Sequence, residues 1–83
     1  MKTVFRPEYQ ALIQALRTIR EEKGITQQEL SKKMGENYDH SLISKIENFD
    51  RRIDIFELLD YAKAMGLRFN KIIEILKSVL SNN

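Results

Sequence analysis

The chain has 83 residues, 42% of them hydrophobic and 31% charged, enough for a single small domain with one core. It contains no cysteine, which excludes disulfides and thiolate metal sites. The formal net charge is +2 with a pI near 9.0; so small an excess argues against nonspecific wrapping of nucleic acid but permits binding through basic residues gathered on one face.

The opening residues, Met1 to Pro7, lack the apolar run of a signal peptide. No segment approaches the roughly 18 apolar residues of a membrane span. A cytoplasmic protein with no membrane partner is therefore expected. Period-two alternation never holds beyond a few residues, while helical spacing recurs throughout. The expected fold is all-α, one domain over 1–83 with its core between 7 and 80.

Pro7 sits where a first helix should begin, because its fixed φ suits the first turn and its missing N–H is not needed there. Tyr9, Leu12, Ile13, Leu16 and Ile19 then share one face. Gly24 ends this helix, with Lys23 at the negative end of the dipole. Thr26 caps a second helix and Glu29 completes a capping box; Leu30 and Met34 face inward, and Gly35 is a left-handed stop. Asp39 caps a third helix, with Tyr38 and Ile43 spaced as a hydrophobic staple. Ile43 and Ile46 point to the core, whereas His40, Ser41, Ser44, Lys45 and Asn48 form the exposed face. Asp54 and Glu57 are a second capping box, opening a fourth helix with Ile55, Leu58, Leu59, Ala62 and Met65 inward and Gly66 as its stop. Asn70 caps a fifth helix, about 70–80, whose apolar residues are Ile72, Ile73, Ile75, Leu76, Val79 and Leu80. Ser81, Asn82 and Asn83 are expected to fray.

The stretch from Thr26 to Asn48 is the informative one. Two short helices joined by a glycine-containing turn are the layout that lays a second helix into the DNA major groove. Leu16-Arg17, Arg20, Gly24-Ile25-Thr26-Gln27, Glu29-Leu30, Gly35, Ile43-Ser44-Lys45-Ile46-Glu47 and Ala64-Met65-Gly66-Leu67 follow in order at near-register spacing. In these residues the chain resembles the helix-turn-helix domain of phage repressors, the lambda repressor and Cro type or XRE family. The resemblance covers roughly residues 9 to 75. It implies a five-helix lambda-repressor-like domain that binds double-stranded DNA sequence-specifically, usually as a homodimer on a palindromic operator. Three positions depart from the family pattern. The turn from Gly35 to Asp39 is about two residues longer, with Glu36 and Asn37 as the insertion and Tyr38 in place of the core-filling residue. Ser31 stands where alanine is usual. Phe49 stands where a glycine often ends the third helix.

On this reading the third helix, about His40–Asn48, enters the groove N-terminal end first. His40 and Ser41 lie near base edges, Lys45 reaches guanine O6 or N7, and Leu42 meets a thymine methyl or packs into the core. The family pattern gives Gln27 a phosphate. Ser44, Asn48, Arg51 and Arg52 join it on the DNA backbone, positioning the protein without reading sequence. The resemblance also implies a partly buried salt bridge between Arg20 and Glu47. Plainer readings exist: His40 as an exposed surface residue, Lys32 and Lys33 as a solvated face, Arg51 and Arg52 as ordinary surface. The fifth helix is more apolar than one packed face requires, so Ile72, Ile75, Leu76, Val79 and Leu80 are assigned to a dimer interface, with core packing alone as the alternative.

No catalytic residue is expected. For His40 with Ser41 or Ser44, adjacent residues on a helix point apart and no orienting acid is evident. One histidine without cysteine makes no zinc site, and no glycine-rich loop is present to hold a cofactor phosphate. The leading expectation is a transcriptional regulator acting as a repressor, because 83 residues leave no room for an effector domain. An antitoxin that binds DNA and a toxin protein is one alternative. A protein-interaction module that keeps the fold but has lost DNA binding is another.

Overall fold

The computed structural model describes residues 2–81. Among them are five α-helices and no strand: α1 (Pro7–Glu22), α2 (Gln27–Met34), α3 (His40–Glu47), α4 (Ile55–Ala64) and α5 (Phe69–Ser81), preceded by a 3-10 turn, Thr3–Phe5. Ser81 closes α5, and the expected fraying of Asn82 and Asn83 falls outside the described residues.

The expected start signals of the first four helices hold. Pro7 is in the first turn of α1. Thr26 and Glu29 form a reciprocal capping box on α2, as Asp54 and Glu57 do on α4. Asp39 caps α3 by accepting from the Leu42 N–H at 2.8 Å. These bonds satisfy amides that a helix cannot pair internally.

The stops share one geometry. Ile25 N–H donates to Arg20 O and Gly24 N–H to Glu21 O at the end of α1; Leu67 to Ala62 and Gly66 to Lys63 repeat it after α4; Asp50 to Lys45 and Phe49 to Ile46 repeat it after α3. This is the Schellman arrangement, which holds its third residue at positive φ. Gly24 adopts that angle without a side-chain clash, but after α3 the residue is Phe49, at φ 64°. The family's missing glycine therefore did not change the exit geometry. Phe49 adopts it and packs its half-buried ring on the core. Gly35 differs from expectation: at φ 127°, ψ 177° it is not a left-handed helical stop but occupies a region open essentially to glycine alone.

The core is built from Leu12, Ile13 and Leu16 of α1, Leu30 of α2, Ile43 and Ile46 of α3, Leu58, Tyr61, Ala62 and Met65 of α4, and Ile72 and Ile75 of α5, joined by Ile53. α2 packs on α3 and α4, while α1 packs on α3 and α5. Two expectations for the last helices fail. Ile55 and Leu59 are exposed; the inward face of α4 runs Leu58, Tyr61, Ala62, Met65, rotated toward a tyrosine that aliphatic periodicity undervalued. Asn70 lies inside α5, which begins at Phe69, so it is not the cap. Ser31, the replacement for alanine, is buried at the α2 contact, and its hydroxyl is satisfied by donating to Gln28 O at 2.7 Å.

The lengthened turn is ordered by two bonds. Tyr38 N–H donates to Gly35 O at 3.2 Å, which makes Glu36 and Asn37 the tip of a β-turn. The Tyr38 hydroxyl donates to Asp60 Oδ2 of α4 at 2.6 Å. Tyr38 thus clasps the turn to α4 through its hydroxyl. The bond to Asp60, with burial adding to it, pushes its pKa up to about 12.

Candidate nucleic-acid interface

α3 is amphipathic, with one face held in the core and the other exposed. Its inner side carries Ile43 and Ile46, both fully buried, and Glu47, whose side chain is 0% exposed. A buried carboxylate is stable only if its charge is paired and its oxygens are bonded. Here Arg20 Nε donates to Oε2 at 2.8 Å and Arg20 Nη2 to Oε1 at 2.7 Å. The Tyr61 hydroxyl donates to Oε2 at 2.6 Å and Gln27 Nε2 to Oε1 at 2.9 Å. Arg17 adds a longer approach of 3.9 Å. The remaining Arg20 Nη1 donates to Ile25 O at 2.7 Å. Burial by itself would raise the Glu47 carboxyl pKa, but the bonds from Arg20, Tyr61 and Gln27 outweigh it and hold the group below its ordinary range. The same burial, reinforced by Glu47, pushes the Tyr61 hydroxyl far up. One carboxylate therefore joins α1, α2, α3 and α4.

The outer side is different. His40, Ser41 and Lys45 are exposed, and among the described residues none of their side chains makes a hydrogen bond or ion pair. The spacing 41 to 45 is one helical turn, so Ser41 and Lys45 stand one above the other, with His40 at the helix start. Leu42 is half-buried and packs on the core, which favours the core reading of that residue.

The residues assigned to the DNA backbone are less uniform. Asn48 Nδ2 reaches Ser44 Oγ at 3.4 Å at the C-terminal end of α3. Arg52 is exposed. The half-buried Gln27 side chain, expected at a phosphate, donates to Glu47. Arg51 Nη1 donates to Glu57 Oε1 at 2.8 Å; this bond, against the opposing effect of burial, holds the Glu57 carboxyl below its ordinary range. Arg51 is thus part of the scaffold that orients the loop into α4. A further bond fixes the same loop to α1, Ile53 N–H donating to the Tyr9 hydroxyl at 2.9 Å.

Of the residues assigned to a dimer interface, Ile72 and Ile75 are 2% and 9% exposed. They are spent on the chain's own core and cannot be presented to a partner. Leu76 and Val79 are partly buried against that core, and Leu80 is exposed. Phe69 and Ile73, which the expectation omitted, are exposed. Sequence reading also missed Tyr61, Glu57 and Arg17 as members of the polar scaffold. The pairing of Tyr61 with Glu47 spans 14 residues and has no local signature. Tyr61 does recur with Leu58, Ala62 and Met65 at helical spacing, which is the signal that would have placed it inward.

A family model described as Helix-turn-helix matches residues 16–72, well over half of the chain and all of α2, α3 and α4. No curated protein and no solved structure matches it. No helix among the described residues is long and apolar enough to cross a membrane.

Proposed function

Because the chain belongs to the lambda repressor and Cro-like helix-turn-helix family (XRE family), and is thereby a DNA-binding transcriptional regulator, we propose that it is a sequence-specific repressor that reads its operator with α3. The observation that carries this reading is the division of α3 into an inner face bonded to three other helices and an outer face, His40, Ser41 and Lys45, whose side chains make no hydrogen bond or ion pair within the described chain. Lys45 donates to guanine O6 or N7, and His40 and Ser41 stand at the end that goes deepest. Arg52, Asn48 and Ser44 hold phosphates beside the recognition helix. Gln27 orients Glu47 and leaves the phosphate to backbone N–H groups at the start of α2. Repression follows from occupancy: a bound domain blocks whatever must use the same duplex.

The exposed apolar residues Phe69, Ile73 and Leu80 of α5 support a homodimer on a two-fold site. With the half-buried Leu76 they are spaced four, three and four apart, the interval that keeps one stripe against a second helix. Ile72, Ile75 and Val79 form the separate stripe that faces the core.

Selection of duplexes from a random library by the purified protein, followed by titration against salt, tests this reading. A palindromic motif is expected, with affinity falling linearly on a logarithmic salt axis. Lys45→Ala is expected to relax one position per half-site, losing about 1–3 kcal/mol of discrimination there. Weak binding with no enriched motif would refute it.

A further inference from the structure

Asp39 has a second function available beyond capping. Its Oδ1 accepts from the Leu42 N–H at 2.8 Å, while Oδ2 makes no bond among the described residues. The residue is exposed and stands at the N-terminal end of α3, beside His40 and Ser41. Its position is fixed from behind: the turn is closed by the Tyr38 N–H to Gly35 O bond and clasped to α4 by Tyr38 and Asp60. A carboxylate held by one oxygen in this way presents its other oxygen at a defined place.

An ionised carboxylate only accepts hydrogen bonds. In the major groove cytosine offers an N4–H2 donor; adenine offers a donor beside the N7 acceptor; guanine and thymine offer acceptors at the corresponding edge. An acceptor at the reading end of α3 is therefore satisfied by cytosine and repelled by guanine and thymine. The flanking phosphates repel it too, so it supplies selectivity and no affinity.

We infer that Asp39 is a base-reading residue that selects cytosine at one position of each half-site through Oδ2, while its Oδ1 caps α3. This inference rests on the proposed reading of DNA by α3.

Asp39→Asn tests it cleanly. Asparagine caps a helix about as well as aspartate, so its oxygen stays on the Leu42 N–H and its NH2 group takes the place of Oδ2. An acceptor is exchanged for a donor at one point. In library selection the wild-type motif should hold a cytosine that the variant replaces with a base offering an acceptor, guanine, thymine or adenine through N7, all other positions unchanged. In titration, exchanging that base pair should cost the wild type on the order of tenfold in affinity and should favour the variant. The variant should bind its own best site at least as tightly, since a charge facing phosphates has been removed. A circular dichroism melt confirms that it is folded. A wild-type motif without such a cytosine, a variant motif identical to the wild type, or uniformly weaker binding by a folded variant would overturn the inference alone. No enriched motif for the wild type would overturn the reading of DNA by α3 and this inference with it.

Discussion

Glu47 shows how much of this domain depends on single side chains. Its two oxygens accept from Arg20 twice, from Gln27 and from Tyr61, and the carboxylate itself is fully buried. A buried ion pair adds little over a well-packed apolar pair, but removal of one partner leaves the other charge stranded. Glu47→Gln is expected to cost about 3–5 kcal/mol in urea denaturation, a large share of the stability of a small domain. The pH dependence has a definite sign. The folded carboxyl is held below its ordinary range, so its contribution is complete above the unfolded pKa of about 4.3 and is lost as pH falls through the lower folded value. Glu57, held down by Arg51, acts in the same direction. The urea midpoint should be insensitive to these two groups between about pH 7 and 5 and fall once pH drops below about 4; a flat profile across that range would contradict the assignment.

At the scale of elements, the helices are defined by their ends. Three stops use the same pair of backbone bonds, twice with glycine and once with Phe49. A Cβ at Gly24 would meet nothing within 4 Å, so the cost of Gly24→Ala is backbone strain alone, about 1–2 kcal/mol. The same strain already resides at Phe49. Phe49→Gly and Phe49→Ala both remove the ring, yet the glycine variant should be the more stable by about 1–2 kcal/mol in thermal unfolding; equal midpoints would mean that the positive φ is not strained. Caps and stops of this kind were legible because they are chemistry between residues three to six apart. Thr26 with Glu29, Asp54 with Glu57, and Asp39 before α3 were all read from sequence and all hold. Asn70 as a cap and Gly35 as a left-handed helical stop did not hold; the other failure was orientation. In α4, Ile55 and Leu59 fit the helical period as well as Tyr61 and Ala62, and only the packing of α2 against α4 decides between the two faces. In the site, the exposed face of α3 was legible because its alternation with Ile43 and Ile46 is local. The engagement of Gln27, Arg51 and Tyr61 was not, since each bonds a residue brought close only by the fold.

At the scale of the molecule, α5 carries apolar surface that the monomer does not cover, as α4 also does at Ile55, Phe56 and Leu59. Ile72 and Ile75 complete the core, yet Phe69, Ile73 and Leu80 remain open on a stripe of coiled-coil spacing. Ile73→Glu combined with Leu80→Glu is expected to leave the helical signal unchanged, because neither side chain is part of the buried core. It should convert a dimer into a monomer in sedimentation equilibrium and weaken operator binding by the loss of the second half-site. A wild-type chain that sediments as a monomer at micromolar concentration would remove the two-fold reading.

The carboxylate that gathers four helices also bears on the thermodynamics of recognition. With α3 fixed by these bonds, binding of a duplex through α3 as proposed would impose no entropy of ordering on that helix and no folding step on its rate. The heat capacity change of binding should then correspond to the surface closed off at the groove, without the larger negative value that coupled folding produces.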